Sequence, residues 1–321
     1  MTRVAALDCG TNTLRLLIAD HDPVAGTLTD VDRDMVVVRL GQGVDRTGQI
    51  APDALARTLE AVTQYADRCA AAGVTKLRFV ATSATRDAGN REEFVAGVRA
   101  RIGIDPEVLS GEEEARLTFV GATRGLNAAS AGTAGAGVLV VDIGGGSTEV
   151  VLGDGATGRV IASTSVDVGC VRLTERYHLG AGRVTPSQLA SARNDVEAAL
   201  DAVEEVVPLS QARRLVGVAG TVTTVTGYML RQDGGDPRAT HGAQMTLAQA
   251  KNGCVDLMSM RTEERAALPG MVPGRADVLG AGALVWLTVL DRVAARTALP
   301  WVTTSEHDIL DGVAWSLVDP A

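Results

Sequence analysis

The chain has 321 residues, enough for two domains that each bury a core of their own. A hydrophobic fraction of 46% with 3% aromatic residues implies cores built from Val, Leu and Ala, and a formal net charge of −9 excludes a general nucleic-acid binder, whose footprint would be a basic excess. Four cysteines (Cys9, Cys69, Cys170, Cys254) without C-x-x-C spacing give neither a zinc site nor a disulfide framework, and read as reduced thiols of a cytoplasmic protein.

Met1-Thr2-Arg3 lead straight into a strand, without the apolar stretch of a signal peptide, and no run approaches the roughly 20 continuous apolar residues of a membrane helix. Residues 4–20 read as a β-hairpin, and Leu28 to Leu40 as a third strand ending in Gly41-Gln42-Gly43. Pro52 opens a helix at its first turn, where a missing N–H costs nothing, and Gly73 stops it after Ala72. A strand at 76–81 and a helix near 91–101 follow, then a helix headed by Glu112-Glu113-Glu114. Residues 127–137, small and featureless, read as the loop between halves. The second half restarts with strands at 138–142, 148–152 and 159–166, then helices at 170–178, 186–206, 220–231, 246–260 and 275–295. Ser305 reads as the N-cap of a last helix with an apolar face at Ile309, Leu310, Val313, Ala314 and Leu317. Strand-rich openings followed by α/β alternation predict mixed sheets flanked by helices.

Two aspartates each end an apolar strand and are followed at once by a glycine-led turn rich in hydroxyls: Asp8-Cys9-Gly10-Thr11-Asn12-Thr13 and Asp142-Ile143-Gly144-Gly145-Gly146-Ser147-Thr148-Glu149. Such a turn lets backbone N–H groups converge on an anion, while the strand-end carboxylate can hold a cation or a water. Either turn alone matches an ordinary tight hairpin. Their repetition after buried-looking strands is the pattern of a split phosphate clamp. Its donors are the backbone of 10–13 and 144–148 with Thr11, Asn12, Thr13, Ser147 and Thr148. Asp142 and Glu149, with Asp8 as a third candidate, would hold Mg²⁺ or Mn²⁺ through oxygen and water ligands. Arg15 lies just beyond the first turn, in a strand whose alternation could aim it inward or outward. Ala219-Gly220-Thr221 fits either a substrate-lining turn or a plain strand-to-helix cap. The four histidines show no paired ligand spacing.

These segments, with Val80-Ala81-Thr82-Ser83-Ala84-Thr85-Arg86-Asp87, Leu109-Ser110-Gly111-Glu112-Glu113-Glu114-Ala115-Arg116, Gly217-Val218-Ala219-Gly220-Thr221-Val222-Thr223-Thr224 and Pro273-Gly274-Arg275-Ala276-Asp277-Val278-Leu279, occur in one order along nearly the whole chain. In that order the sequence resembles the exopolyphosphatase and guanosine pentaphosphate phosphohydrolase family, of the short two-domain type, within the acetate/sugar kinase, Hsp70 and actin superfamily. The resemblance implies two actin-like (ribonuclease H-like) domains, 1–126 and 127–304, with residues 305–321 packing back on the first and an active site in the interdomain cleft. It implies an exopolyphosphatase releasing orthophosphate from inorganic polyphosphate, or alternatively a guanosine pentaphosphate phosphohydrolase or a regulator binding guanosine penta- or tetraphosphate. No nucleic-acid or membrane partner is expected, and a homodimer is compatible with it. By the same resemblance Glu114 matches the glutamate that activates the attacking water, Arg86 a phosphate-binding arginine, and Gly220 and Thr221 the far end of the substrate path. The capping motif Ser110-x-x-Glu113 and an ion pair of Glu112 with Arg116 would occupy the other two glutamates.

Overall fold

The computed structural model describes residues 1–126, 136–180, 184–232, 234–236 and 238–318, so the loop expected at 127–137 lies outside the described residues up to 135. The chain divides into two compact units, Met1–Gly121 with the residues from Ile309 onward, and Ala122–Asp308. The division falls inside the helix Gly111–Gly125.

The first unit holds strands β1 (Thr2–Cys9), β2 (Thr13–Asp22), β3 (Thr27–Val37), β4 (Lys76–Ala81) and β5 (Glu107–Val108) in the order β3-β2-β1-β4-β5. β1 and β3 flank β2 in antiparallel pairs, whereas β4 runs parallel to both β1 and β5. β1 is central, so both of its faces are buried from Val4 onward and its sequence is almost continuously apolar. Its odd residues Ala5, Leu7 and Cys9 share a core with Val62, Tyr65, Phe94 and Val98 from the helices Pro52–Ala71 and Arg91–Ile102. Its even residues Val4 and Ala6 meet Leu109, Leu117, Ile309 and Val313 on the opposite face. The edge strand β3 carries Asp32 and Asp34, both bound by Arg68, a charged edge that opposes pairing with another chain.

The second unit holds β6 (Ala136–Ile143), β7 (Thr148–Asp154), β8 (Val160–Val166), β9 (Arg214–Val218), β10 (Gln244–Thr246) and β11 (Trp301–Thr304), ordered β10-β11-β9-β6-β7-β8. Setting β10 aside, β8-β7-β6-β9-β11 repeats the first sheet strand for strand, with the same antiparallel and parallel neighbours. The crossover helices correspond too: Pro52–Ala71 and Pro186–Val206 both open on proline, the second behind a Thr185/Gln188 capping box. Two mixed sheets flanked by helices make an α/β, actin-like architecture built twice. The helix Ala276–Arg296 is, among the described residues, the one helix long and apolar enough to cross a membrane, with a mean hydropathy of 1.6, but 72% of that stretch is buried within the protein. It is the core helix of its unit, packing Leu284, Trp286 and Leu290 among the strands.

Ser305 does not cap the last helix. Its hydroxyl donates to the His307 carbonyl and accepts from the His307 N–H, and the helix runs from Ile309 to Ser316. This helix docks on Gly111–Gly125 at Gly312, where a Cβ would stand 2.0 Å from the Leu117 carbonyl oxygen. Gly312→Ala must therefore push the two helices apart. A loss of about 1–3 kcal/mol, the usual range for overpacking, is expected in denaturant unfolding.

Candidate active site

Two glycine-led turns, one in each unit, are built by the same device. In the first unit the Gly10 N–H bonds the Thr13 carbonyl at 2.9 Å, closing the turn between β1 and β2. The next two carbonyls are then taken up by distant backbone: Thr11 by the Gly41 N–H at 2.8 Å, and Asn12 by the N–H groups of Val38 (3.0 Å) and Arg39 (2.9 Å). In a trans peptide the N–H points opposite to the carbonyl, so the N–H groups of Asn12 and Thr13 are aimed away from residues 38–41. The Thr11 hydroxyl is hydrogen-bonded to the Ser83 hydroxyl at 2.8 Å, which ties the turn to the connector after β4. Gly41 must be glycine, since a Cβ would lie 2.3 Å from Thr11 Cγ2.

In the second unit the Gly144 N–H bonds the Ser147 carbonyl at 3.0 Å, the equivalent closure. The first turn of the helix Cys170–Tyr177 takes up the carbonyls: Cys170 N–H bonds Gly144 O (3.0 Å), and Val171 N–H (2.8 Å) and Arg172 N–H (3.1 Å) bond Gly145 O. Arg172 Nε donates to Gly146 O at 2.7 Å. By the same peptide geometry the N–H groups of Gly145, Gly146 and Ser147 face the other way, a concave row of donors suited to an anion. Gly169 allows the helix to come this close, because a Cβ there would meet the Gly145 carbonyl oxygen at 2.4 Å. The Thr148 hydroxyl donates to the Val168 carbonyl at 2.5 Å, so of this pair of hydroxyls only Ser147 has no such backbone bond among those described.

The residues opposite the turns differ in sign. Asp8 faces Arg15 across β1 and β2, and the guanidinium binds its carboxylate at 2.6 and 3.0 Å. Arg15, whose direction the alternation left open, therefore neutralises the strand-end aspartate of its own unit. At the corresponding place in the second unit Asp142 faces Glu149 across β6 and β7, both buried, with Glu149 accepting from the Ser165 hydroxyl at 2.7 Å. Two carboxylates directly opposite on one face disfavour each other. Such a pair fits a hard divalent cation, which accepts oxygen ligands and completes its shell with water and substrate oxygens. Among the described residues no three His, Cys, Asp or Glu side chains form a ready-made metal cage.

The three glutamates at the head of the helix Gly111–Gly125 occupy three environments: Glu112 is exposed, Glu113 half-buried and Glu114 buried. Ser110 Oγ accepts from the Glu113 N–H at 3.2 Å. The Glu113 carboxylate, however, does not return to Ser110. It binds Arg116 at 2.8 and 2.9 Å, so the partner of Arg116 is Glu113, one residue closer than the expected Glu112. Glu114 points inward and accepts from Arg86 Nη1 at 3.1 Å, while the same nitrogen donates to the Leu109 carbonyl at 2.9 Å.

The third turn, after β9, holds Ala219 at φ 67°, and Gly220 lies directly under the Arg275 guanidinium, whose Nη1 is 2.1 Å from where a Cβ would be. Thr221 is buried with its hydroxyl against Gly282 of the core helix. Beyond it, a cavity of about 190 Å³ is lined by Thr223, Thr224, Tyr228, Arg231, Arg275 and Glu306, with the apolar segment Leu268–Val272 on one side. The hydroxyls of Thr223 and Thr224 donate to the Gly220 carbonyl at 3.3 and 2.6 Å, and Thr240 donates to Glu306. The threonines therefore offer lone pairs, and Glu306 adds acceptors, to whatever enters. Gly169, Arg172 and Arg39 had no signal in sequence, because each acts on a turn more than 20 residues away. All four cysteines are buried and free. Burial pushes the Cys170 thiol up to about 11, Arg275 opposing, and holds Cys9 well above its usual value, so neither cysteine beside a turn is a thiolate nucleophile at neutral pH.

The profile of the Ppx/GppA phosphatase family matches residues 17–318. Exopolyphosphatase 2 of Mycobacterium tuberculosis is 46% identical over 99% of this chain and 99% of its own. Among solved structures, an exopolyphosphatase-like protein superposes with a TM-score of 0.90 at 40% identity, covering 98% of this chain and 96% of that one. The Aquifex aeolicus member of the Ppx/GppA family superposes with a TM-score of 0.77 at 28% identity, covering 100% and 99%.

The Arg116 hydrogen bond holds the Glu113 carboxyl below its usual range. A group whose folded pKa is depressed adds stability above its unfolded pKa and loses it as pH falls through the folded value. Glu113→Gln should cost no more than about 0.5 kcal/mol at pH 7, as for a partly exposed pair, and its melting curve should converge with that of the parent protein as pH drops below about 4.

Proposed function

This chain belongs to the Ppx/GppA phosphatase family, and we propose that it is an exopolyphosphatase that uses Mg²⁺ to hydrolyse the terminal phosphoanhydride of inorganic polyphosphate and release orthophosphate. The observation that carries this reading is the 46% identity, end to end, with a protein named for that activity. Phosphoryl transfer needs little covalent help from protein, so positioning, charge neutralisation and a base for water should supply most of the catalysis. The N–H rows of Asn12–Thr13 and Gly145–Ser147 would hold phosphoryl oxygens. Asp142 and Glu149 would hold the cation, which when bound neutralises charge on the transferred group.

Glu114 is the proposed general base. It is buried, unlike Glu112, and Arg86 fixes its carboxylate through a nitrogen that is itself anchored on Leu109 O. A carboxylate in a fixed orientation can take a proton from a water placed in line with the leaving phosphate. Only Nη1 of Arg86 is used in these contacts, so the rest of its fork suits phosphate oxygens.

A second reading, guanosine pentaphosphate 5′-phosphohydrolase, is favoured by this cavity, where Thr223, Thr224 and Glu306 offer acceptors to hydroxyl and amine donors while Arg231 and Arg275 bring positive charge for phosphate, a mixture that suits a nucleotide better than a bare phosphate chain. Phosphate release from short polyphosphate, long polyphosphate and guanosine pentaphosphate, measured side by side with and without Mg²⁺, separates the two. Turnover of polyphosphate well above that of the nucleotide is expected, and the reverse order would replace the first reading by the second.

Chelation of divalent ions should abolish turnover, and full activity in excess chelator would remove Asp142 and Glu149 from their role. Glu114→Gln should keep the melting temperature and substrate binding yet lose about 10²–10⁴-fold in turnover, with Glu112→Gln nearly silent. Equal losses in both variants would refute the base.

A further inference from the structure

A hydroxyl or amide shut into a protein without a hydrogen-bond partner costs free energy, so nearly all such groups are paired. Among the described residues, the buried side chains of Asn12, Thr13, Thr82, Ser147, Thr221 and Thr303 make no hydrogen bond within the protein, and their polar atoms are not sealed from water. Thr85 contrasts with them, its hydroxyl both unpaired and sealed. Asn12, Thr13 and Ser147 belong to the two glycine-led turns and Thr221 to the turn after β9. Thr303 lies in β11, which pairs with β9 and β10 and is followed by Ser305-Glu306, not by a glycine-led turn. That leaves Thr82, in the connector after β4.

The Thr82 backbone is engaged on both sides: its N–H donates to the Cys9 carbonyl at 3.2 Å, and its carbonyl accepts from the Arg86 N–H at 3.0 Å. Threonine at a helix start ordinarily turns its hydroxyl onto the N–H groups of the first turn, but Thr82, which precedes the short helix Ser83–Asp87, makes no such bond. The parallel register pairs Cys9 with Ala81, so Thr82 stands beside Gly10. Its neighbour Ser83 reaches the Thr11 hydroxyl, and Arg86, one helical turn on, holds Glu114. Alternation along β4 puts Thr82 on the face of Val80, the face shared by Asp8 and Leu109. Valine, with the same shape and β-branching, would fill this place and leave no polar group unpaired.

We infer that Thr82 is a substrate-binding residue, its hydroxyl donating to a phosphoryl oxygen of the polyanion held at the Gly10–Thr13 turn. The inference rests on the polyphosphate reading above and adds a residue which that reading does not use.

The test compares Thr82→Val, which removes the hydroxyl and keeps the shape, with Thr82→Ser, which keeps the hydroxyl. Thr82→Val should melt at or above the parent temperature while kcat/KM for polyphosphate falls roughly tenfold or more, the usual loss for a hydrogen bond to a charged group. Thr82→Ser should stay within about threefold of the parent. Calorimetric binding of tripolyphosphate, which needs no turnover, should weaken in Thr82→Val and hold in Thr82→Ser. Binding and kcat/KM within about twofold of the parent in Thr82→Val would overturn the inference, as would a lowered melting temperature in that variant or equal losses in both. A parent protein that releases no phosphate from polyphosphate, yet binds tripolyphosphate more tightly than Thr82→Val does, would refute the activity and support the contact. A parent protein that does not bind tripolyphosphate would overturn the contact itself.

Discussion

A peptide plane has a carbonyl on one side and an N–H on the other, and a buried carbonyl has to be bonded. The whole candidate site follows from that constraint. To present N–H groups to an anion, each glycine-led turn must turn its carbonyls inward, and something must meet them there. Residues 38–41 do so in one unit and the head of the helix Cys170–Tyr177 in the other. Close approach then dictates glycine at 41 and 169, positions that admit no side chain without moving a turn.

The two sheets are copies in strand order, but the copies have diverged at one cross-strand position. Seven residues after the strand-end aspartate, one unit has Arg15 and the other Glu149. The first turn is therefore internally neutralised, with a rigid Asp8–Arg15 ion pair beneath it. The second sets two buried carboxylates, Asp142 and Glu149, opposite each other at the same register position. A single register position thus separates a turn backed by an ion pair from one backed by two carboxylates.

Much of this was legible in sequence, and the limits have physical causes. The hairpins and long helices announce themselves by apolar periodicity, proline starts and glycine stops, and Lys76–Ala81 and Pro186–Val206 fall where expected. β5, β10 and β11 escape notice because they are two to four residues long and defined only by partners far along the chain. The third strand ends three residues before its sequence suggests, since Val38-Arg39-Leu40 keep a strand-like composition while the backbone bends left-handed at Arg39. The glutamate triplet shows the same boundary: spacing suggests a capped helix, but only packing reveals that Arg116 turns back to Glu113 and that Glu114 faces Arg86.

The helix Ile309–Ser316 covers one face of a sheet whose first strand begins at Thr2. On the ribosome these partners are separated by the whole of the second unit, Ala122–Asp308. At typical elongation rates of roughly 5–20 residues per second, Val4, Ala6, Leu17 and Val80 emerge on the order of 10 s or more before the residues that cover them. The nascent first unit must therefore wait with an apolar face open while the second is made, which makes synthesis of Ile309–Ser316 the step that seals this face and gives chaperones a defined window in which to act.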